Sequence, residues 1–128
     1  ELGDPMKTTT TALALLTSAA LLAAPAMASA QPAVALAKST VTIKAEGVDL
    51  SGTLSSPRAS CVDGRKVIVI KQVGTRGGGN DKVIASDTAS ADGTWSTGNT
   101  GIEGRFYAKV KKTATCGGDT SKTIRAVR

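Results

Sequence analysis

The sequence predicts an all-β fold: one antiparallel Greek-key sandwich of about seven strands, immunoglobulin-like or prealbumin-like, closed by a single disulfide. Three observations carry this expectation. Apolar residues recur with period two in short runs, the runs are separated by Gly, Asn and Asp, and no stretch shows helical periodicity.

The start of the chain is set aside first. From Met6 it reads MKTTTTALALLTSAALLAAPAMASA: a Lys, an apolar run from about Ala12 to Ala24, Pro25, and the small-residue triplet Ala28-Ser29-Ala30. That order is a secretory signal peptide over residues 6–30, and the apolar run is shorter than the ~20 residues a bilayer span needs. No transmembrane anchor is therefore expected after processing, and the mature protein is expected to be secreted. Residues 1–5, ELGDP, fit no part of a signal peptide and are set aside as a tag remnant or a misassigned start. Residues 31–38, QPAVALAK, form a small-residue leader expected to be flexible. Residues 39–128 remain as one domain, too short for a second core.

Within that domain STVTIKA alternates Val41, Ile43 and Ala45 against Thr40, Thr42 and Lys44, the pattern of a half-buried strand. DLSGTLSS continues it with Leu50 and Leu54. KVIVIKQV is apolar on both faces and rich in β-branched residues, which marks a central strand. VIASDT, GTWST, RFYAKVKKT and KTIRAV complete the seven. The separators Asp63-Gly64, the Gly-rich run Arg76 to Asp81, Asp92-Gly93, Gly98 to Gly101 and Gly117 to Asp119 are turn chemistry, since Gly, Asn and Asp tolerate tight reversals. The Arg76 to Asp81 run lacks the ending of a phosphate-binding loop and is read as a mobile hairpin loop.

Cys61 and Cys116 are the only cysteines, and an exported chain meets oxidising conditions, so they are expected to pair. Cys61 precedes the third predicted strand and Cys116 follows the sixth. If those strands are antiparallel neighbours, both cysteines lie at one pole, where a bridge clamps loops rather than crossing the core.

The runs SGTLSSPRASCVDGRKVIVIKQ, ASDTASADGTWS and GRFYAKVKKTATCGGDTSKTI resemble small secreted β-sandwich modules of actinobacteria, related to carboxypeptidase regulatory-like and prealbumin-like domains. The shared pattern is G-x-L-x-S, C-x-x-x-R-x-V, D-G-x-W, a strand with Y-A-K-V, and a last Cys before S-K-T-I. It covers nearly all of Val48 to Ile124. The resemblance implies a structural module, in most cases without enzymatic activity.

The residues agree with a non-enzyme. There is no His, so Ser-His-Asp and Cys-His catalysis in their usual forms are excluded, and a disulfide would remove the thiol nucleophile. Asp63, Asp81, Asp92 and Asp119 lie in turns, where capping the backbone accounts for them. Two sulfurs fall short of a structural zinc site and no calcium-loop pattern occurs, so neither a metal nor any other cofactor is expected.

Charge is more informative. From Gln31 onward 15 Lys and Arg face 8 acids, a net charge of +7. Arg105, Lys109 and Lys111 share one side of the sixth strand, and Arg125 on the last strand extends that stripe. The expected partner is an anionic cell-wall or extracellular polymer; the plainer alternative is a solvated outer face. A different class, a secreted protease inhibitor or other protein-binding module, would use the disulfide-pinned loops Cys61 to Arg65 and Thr113 to Thr120. Among the aromatics, Phe106 shares the apolar side of its strand. Trp95 is expected in the core. Tyr107 shares its side with Arg105 and Lys109 and is expected to point outward, as part of the binding face.

Overall fold

The computed structural model of the chain describes residues 35–128, so the signal-peptide expectation and residues 1–5 lie outside the described residues. Among the described residues nine strands form: β1 (Thr40–Val41), β2 (Lys44–Glu46), β3 (Asp49–Ser55), β4 (Lys66–Gln72), β5 (Lys82–Thr88), β6 (Thr94–Asn99), β7 (Gly104–Val110), β8 (Asp119–Thr120) and β9 (Ile124–Ala126). A single 3-10 turn, Ala59–Cys61, precedes β4, and no α-helix occurs among the described residues. All strand pairs are antiparallel. One sheet joins β1, β2 and β6 to β3; the other runs β5-β4-β7-β8, with β9 also on β7.

Seven runs become nine strands for two local reasons. The first predicted strand keeps one register against β3 but is interrupted at Thr42 and Ile43. There the Thr42 carbonyl oxygen lies against Gly52, so close that a Cβ on Gly52 would sit 1.9 Å from it and 2.7 Å from Trp95 Cζ2. Only a residue without a side chain admits both neighbours. The second addition is β8, where Asp119 and Thr120, read from sequence as part of a turn, pair with Val110 and Lys109. Asp119 is held there by a long-range bond, its Oδ2 accepting from the Val41 amide at 2.7 Å.

The core lies between the sheets. Val41, Leu50, Leu54 and Trp95 from one meet Val67, Val69, Phe106, Ala108 and Val110 from the other. The strand with apolar residues on both faces is central as expected: β4 pairs with β5 and β7, sending Val67 and Val69 inward and Ile68 and Ile70 outward. Outside the sheet those two isoleucines form a second small cluster with Tyr107.

Candidate functional site

Alternation along β7 turns Phe106, Ala108 and Val110 into the core and Arg105, Tyr107 and Lys109 to the outer face of the five-stranded sheet. Arg125 on β9 is directly opposite Arg105 and so shares that face, and Lys111 continues the same parity one residue beyond Val110. Four of the five residues singled out from the sequence therefore lie on one side of one sheet, and Lys111 stands just past the end of β7.

Tyr107 is the exception in environment. The sequence places it on the outward binding face, and it does point outward, yet it is only 7% exposed. The reason is a cover supplied by the β4–β5 loop. The Arg76 guanidinium stacks 4.4 Å above the Tyr107 ring centroid and donates to the Ser121 carbonyl and to Thr123 Oγ1. The phenol donates to Asp81 Oδ2 at 2.6 Å, and the Asp81 carboxylate also accepts from the Val73 and Gly77 amides, each at 3.0 Å. The phenolic hydrogen bond, with the two amides and Arg76, holds the Asp81 carboxyl below its usual range. The same bond, with burial and the Asp81 charge, holds the Tyr107 phenol above its own. The Gly-rich hairpin loop is thus fastened at several points, with the Gly74 carbonyl accepting from Arg105 and from Gln72 as well.

The electrostatics of the face follow from these positions. Its outward residues are Lys66, Ile68, Ile70 and Gln72 on β4, Val83, Ser86 and Thr88 on β5, Arg105, Tyr107 and Lys109 on β7, and Arg125 on β9. None is acidic. The carboxylate that bonds to this row, Asp81, is engaged by Tyr107 and by the loop backbone.

At one pole Cys61 and Cys116 are bonded, with Cα atoms 5.6 Å apart. Of the expected leader, residues 35–38 are described, and they join this pole: Ala37 is buried, bridges to Cys116, donates to the Thr115 carbonyl and accepts from Gly117 N. Arg65, which sequence reasoning did not single out, is buried beside the disulfide. Its Nη1 donates to Ser39 Oγ at 2.6 Å and to the Cys61 carbonyl at 3.2 Å, and its Nη2 to the Lys111 and Gly117 carbonyls. Burial lowers its pKa, and four neutral acceptors share the charge. The available signals were its place as the Arg of C-x-x-x-R-x-V and at the mouth of an apolar strand. Arg76 and Asp81 offered less, being ordinary residues of a Gly-rich loop.

The other sheet presents a different outer face. A groove of about 500 Å³ lies along it, lined mainly by Ser and Thr, with Lys44 and, from β5, Asp87 among its walls. Asp87 Oδ2 accepts from the Ser96 amide at 2.7 Å, covering an edge of β6. Asp92 caps its own turn by accepting from Thr94 N and Oγ1. No group of three or more metal-binding side chains occurs among the described residues. No protein-family model matches the chain, and no curated protein matches it. The chemistry of the two faces is therefore the ground for a functional reading.

Proposed function

We propose that this protein is a secreted, non-enzymatic β-sandwich that binds anionic extracellular polymers through the outer face of its five-stranded sheet. One observation carries the reading: every charged side chain at an outward position of β4, β5, β7 and β9 is a cation. A sheet face kept only for solubility mixes both signs, whereas a face of one sign steers a counter-charged partner toward it. Resemblance to the secreted actinobacterial modules and the signal-peptide pattern support the extracellular setting. Retention on an immobilised polyanion tests the reading. The parent is expected to bind at low salt and to elute as ionic strength rises, while Arg105→Glu/Lys109→Glu/Lys111→Glu is not retained. A folded triple variant that binds as well as the parent refutes the proposal.

A second reading, a protein-binding or protease-inhibiting loop, is favoured by the exposed turn Lys111 to Thr115. Its base is tied by the disulfide, by Arg58 and Arg65, and by the Thr113 to Cys116 hydrogen bonds. A rigid exposed loop loses little entropy on docking. Titration against a trypsin-like protease, whose specificity pocket takes Lys, tests it: no inhibition at stoichiometric concentration removes it.

A further inference from the structure

We infer that the cations along β7 form a register for a linear phosphodiester polymer with a three-carbon repeat, poly(glycerol phosphate), lying parallel to the strand, with Arg76 as one member of the row. The inference rests on the polyanion reading above and specifies its ligand.

The row is defined by alternation. Arg105, Tyr107 and Lys109 are successive outward positions of β7, and the exposed Lys111 follows two residues later, just past the end of the strand. Tyr107 would break the sequence of charges, but the Arg76 guanidinium lies over its ring and brings a cation to that step, beside the Asp81 carboxylate that the phenol engages. Only two hydrogen bonds, to Ser121 and Thr123, engage Arg76, which leaves other N–H groups of its five for a ligand. Four cations therefore follow one another, the positions within β7 setting a two-residue step of about 6.7 Å and Lys111 continuing it past the end of the strand.

That spacing selects among polyanions. Two residues of extended chain span six backbone bonds. A glycerol phosphate repeat also spans six bonds from one phosphorus to the next, so its phosphates recur at the same length. A five-carbon polyol phosphate has eight bonds per repeat and runs ahead by about 2 Å per step, which accumulates over three steps to about the spacing itself. Single-stranded DNA shares the six-bond repeat but carries bases, and proteins that hold it stack those bases on exposed aromatic side chains. The only aromatics of this chain, Trp95, Phe106 and Tyr107, are all buried. Lys and Arg suit a phosphate row, the former as point charges and the latter as a planar fork.

The experiment is a fluorescence-anisotropy titration of the protein with labelled oligo(glycerol phosphate) over a series of salt concentrations. The other probes are oligo(ribitol phosphate), hyaluronate and a deoxythymidine oligonucleotide. Four contacts predict a slope of log K against log salt near about −3 for the glycerol polymer. Arg76→Gln should reduce its magnitude by roughly one contact, and Arg76→Lys should restore it. Lys109→Gln, which disturbs no buried group, should give the same reduction and separates lost charge from a disturbed Tyr107. Equal binding of the ribitol polymer or hyaluronate, tighter binding of the oligonucleotide, or a slope indifferent to Arg76→Gln overturns the register while leaving a polyanion face in place. Failure of every probe to bind overturns both.

Discussion

The outer faces of the two sheets are built on the same backbone architecture and have opposite characters. On the four-stranded sheet the outward residues of β1 to β3 and β6 are chiefly Ser and Thr. Their hydroxyls bond to one another, as Thr42 does to Thr53 at 2.7 Å, and Lys44 and Glu46 stand 4.0 Å apart. Charges of both signs are present and little apolar surface needs cover. On the five-stranded sheet Ile68, Ile70 and Tyr107 leave an apolar patch on the outside, and the chain spends a loop and an arginine on covering it. A face with no partner has no evident need for outward isoleucines. The difference teaches that the cationic face is the one on which the sequence departs from the simplest sandwich pattern, and such departures concentrate at functional sites.

The largest effects should come from supports common to both faces, and they calibrate everything smaller. The Cys61–Cys116 bond closes a separation of 55 residues, which the chain-entropy treatment values at about 4 kcal/mol. Reduction should lower the melting temperature strongly, as calorimetry with and without reductant would show. Trp95→Ala should cost about 3–5 kcal/mol in denaturant unfolding, because the indole is 3% exposed and packed against Gly52. Gly52→Ala should cost about 1–3 kcal/mol or more for the converse reason, a methyl group where no space exists.

An effect of comparable size, but confined to one face, separates the two. Tyr107→Ala should cost about 3 kcal/mol and release the β4–β5 loop, seen as faster hydrogen exchange at the Val73 and Gly77 amides. A variant as stable and as protected as the parent would return Tyr107 to the surface. The same loop should respond to pH. Asp81 has a folded pKa below its unfolded value, so its contribution is present above the ordinary aspartate range and is lost as pH falls through the depressed folded value. Tyr107 is shifted upward, so its contribution is complete below the ordinary tyrosine range and is lost as pH rises through the raised folded value. Protection of the Val73 and Gly77 amides should therefore be flat across neutral pH and fall only at the two extremes. A midpoint near neutrality would mean that another group holds the loop.

That loop also marks where sequence reasoning stops. Period-two alternation was enough to send Phe106 inward, to make β4 central and to place Arg105, Lys109 and Arg125 on one face, because each depends only on parity within a strand or between neighbours. Trp95 was legible as core for want of any other large aromatic to fill it. Parity also gave the direction of Tyr107 correctly, but not its exposure. Its cover comes from a loop whose Asp81 is 26 positions away in sequence, and nothing local announces a contact of that range. Arg65 was illegible for a related reason: its four acceptors come from the segments around Ser39, Cys61, Lys111 and Gly117, which only the closed pole brings together. The break between β1 and β2 depends on a backbone approach to Gly52, and the pattern of STVTIKA contains no trace of it.

The smallest expected effect on stability is the one that decides between the faces. Lys109→Glu/Lys111→Glu on the five-stranded sheet and Lys44→Glu on the four-stranded sheet all replace exposed side chains, so each substitution should change unfolding free energy by less than about 0.5 kcal/mol. If charge anywhere on the surface sufficed for attraction, the two kinds of variant would lose polyanion affinity in proportion to the charge each removes. If the geometry of the β7 row matters, the Lys109/Lys111 variant should lose far more than twice the effect of Lys44→Glu and should lose salt sensitivity with it, because contacts rather than net charge set the number of counterions released. Lys44→Glu then becomes the control that shares the fold and lacks the row. Proportional losses at both faces would reduce the five-stranded face to a contributor of net charge, and its outward isoleucines and the stacked Arg76 would then be accounted for by packing alone.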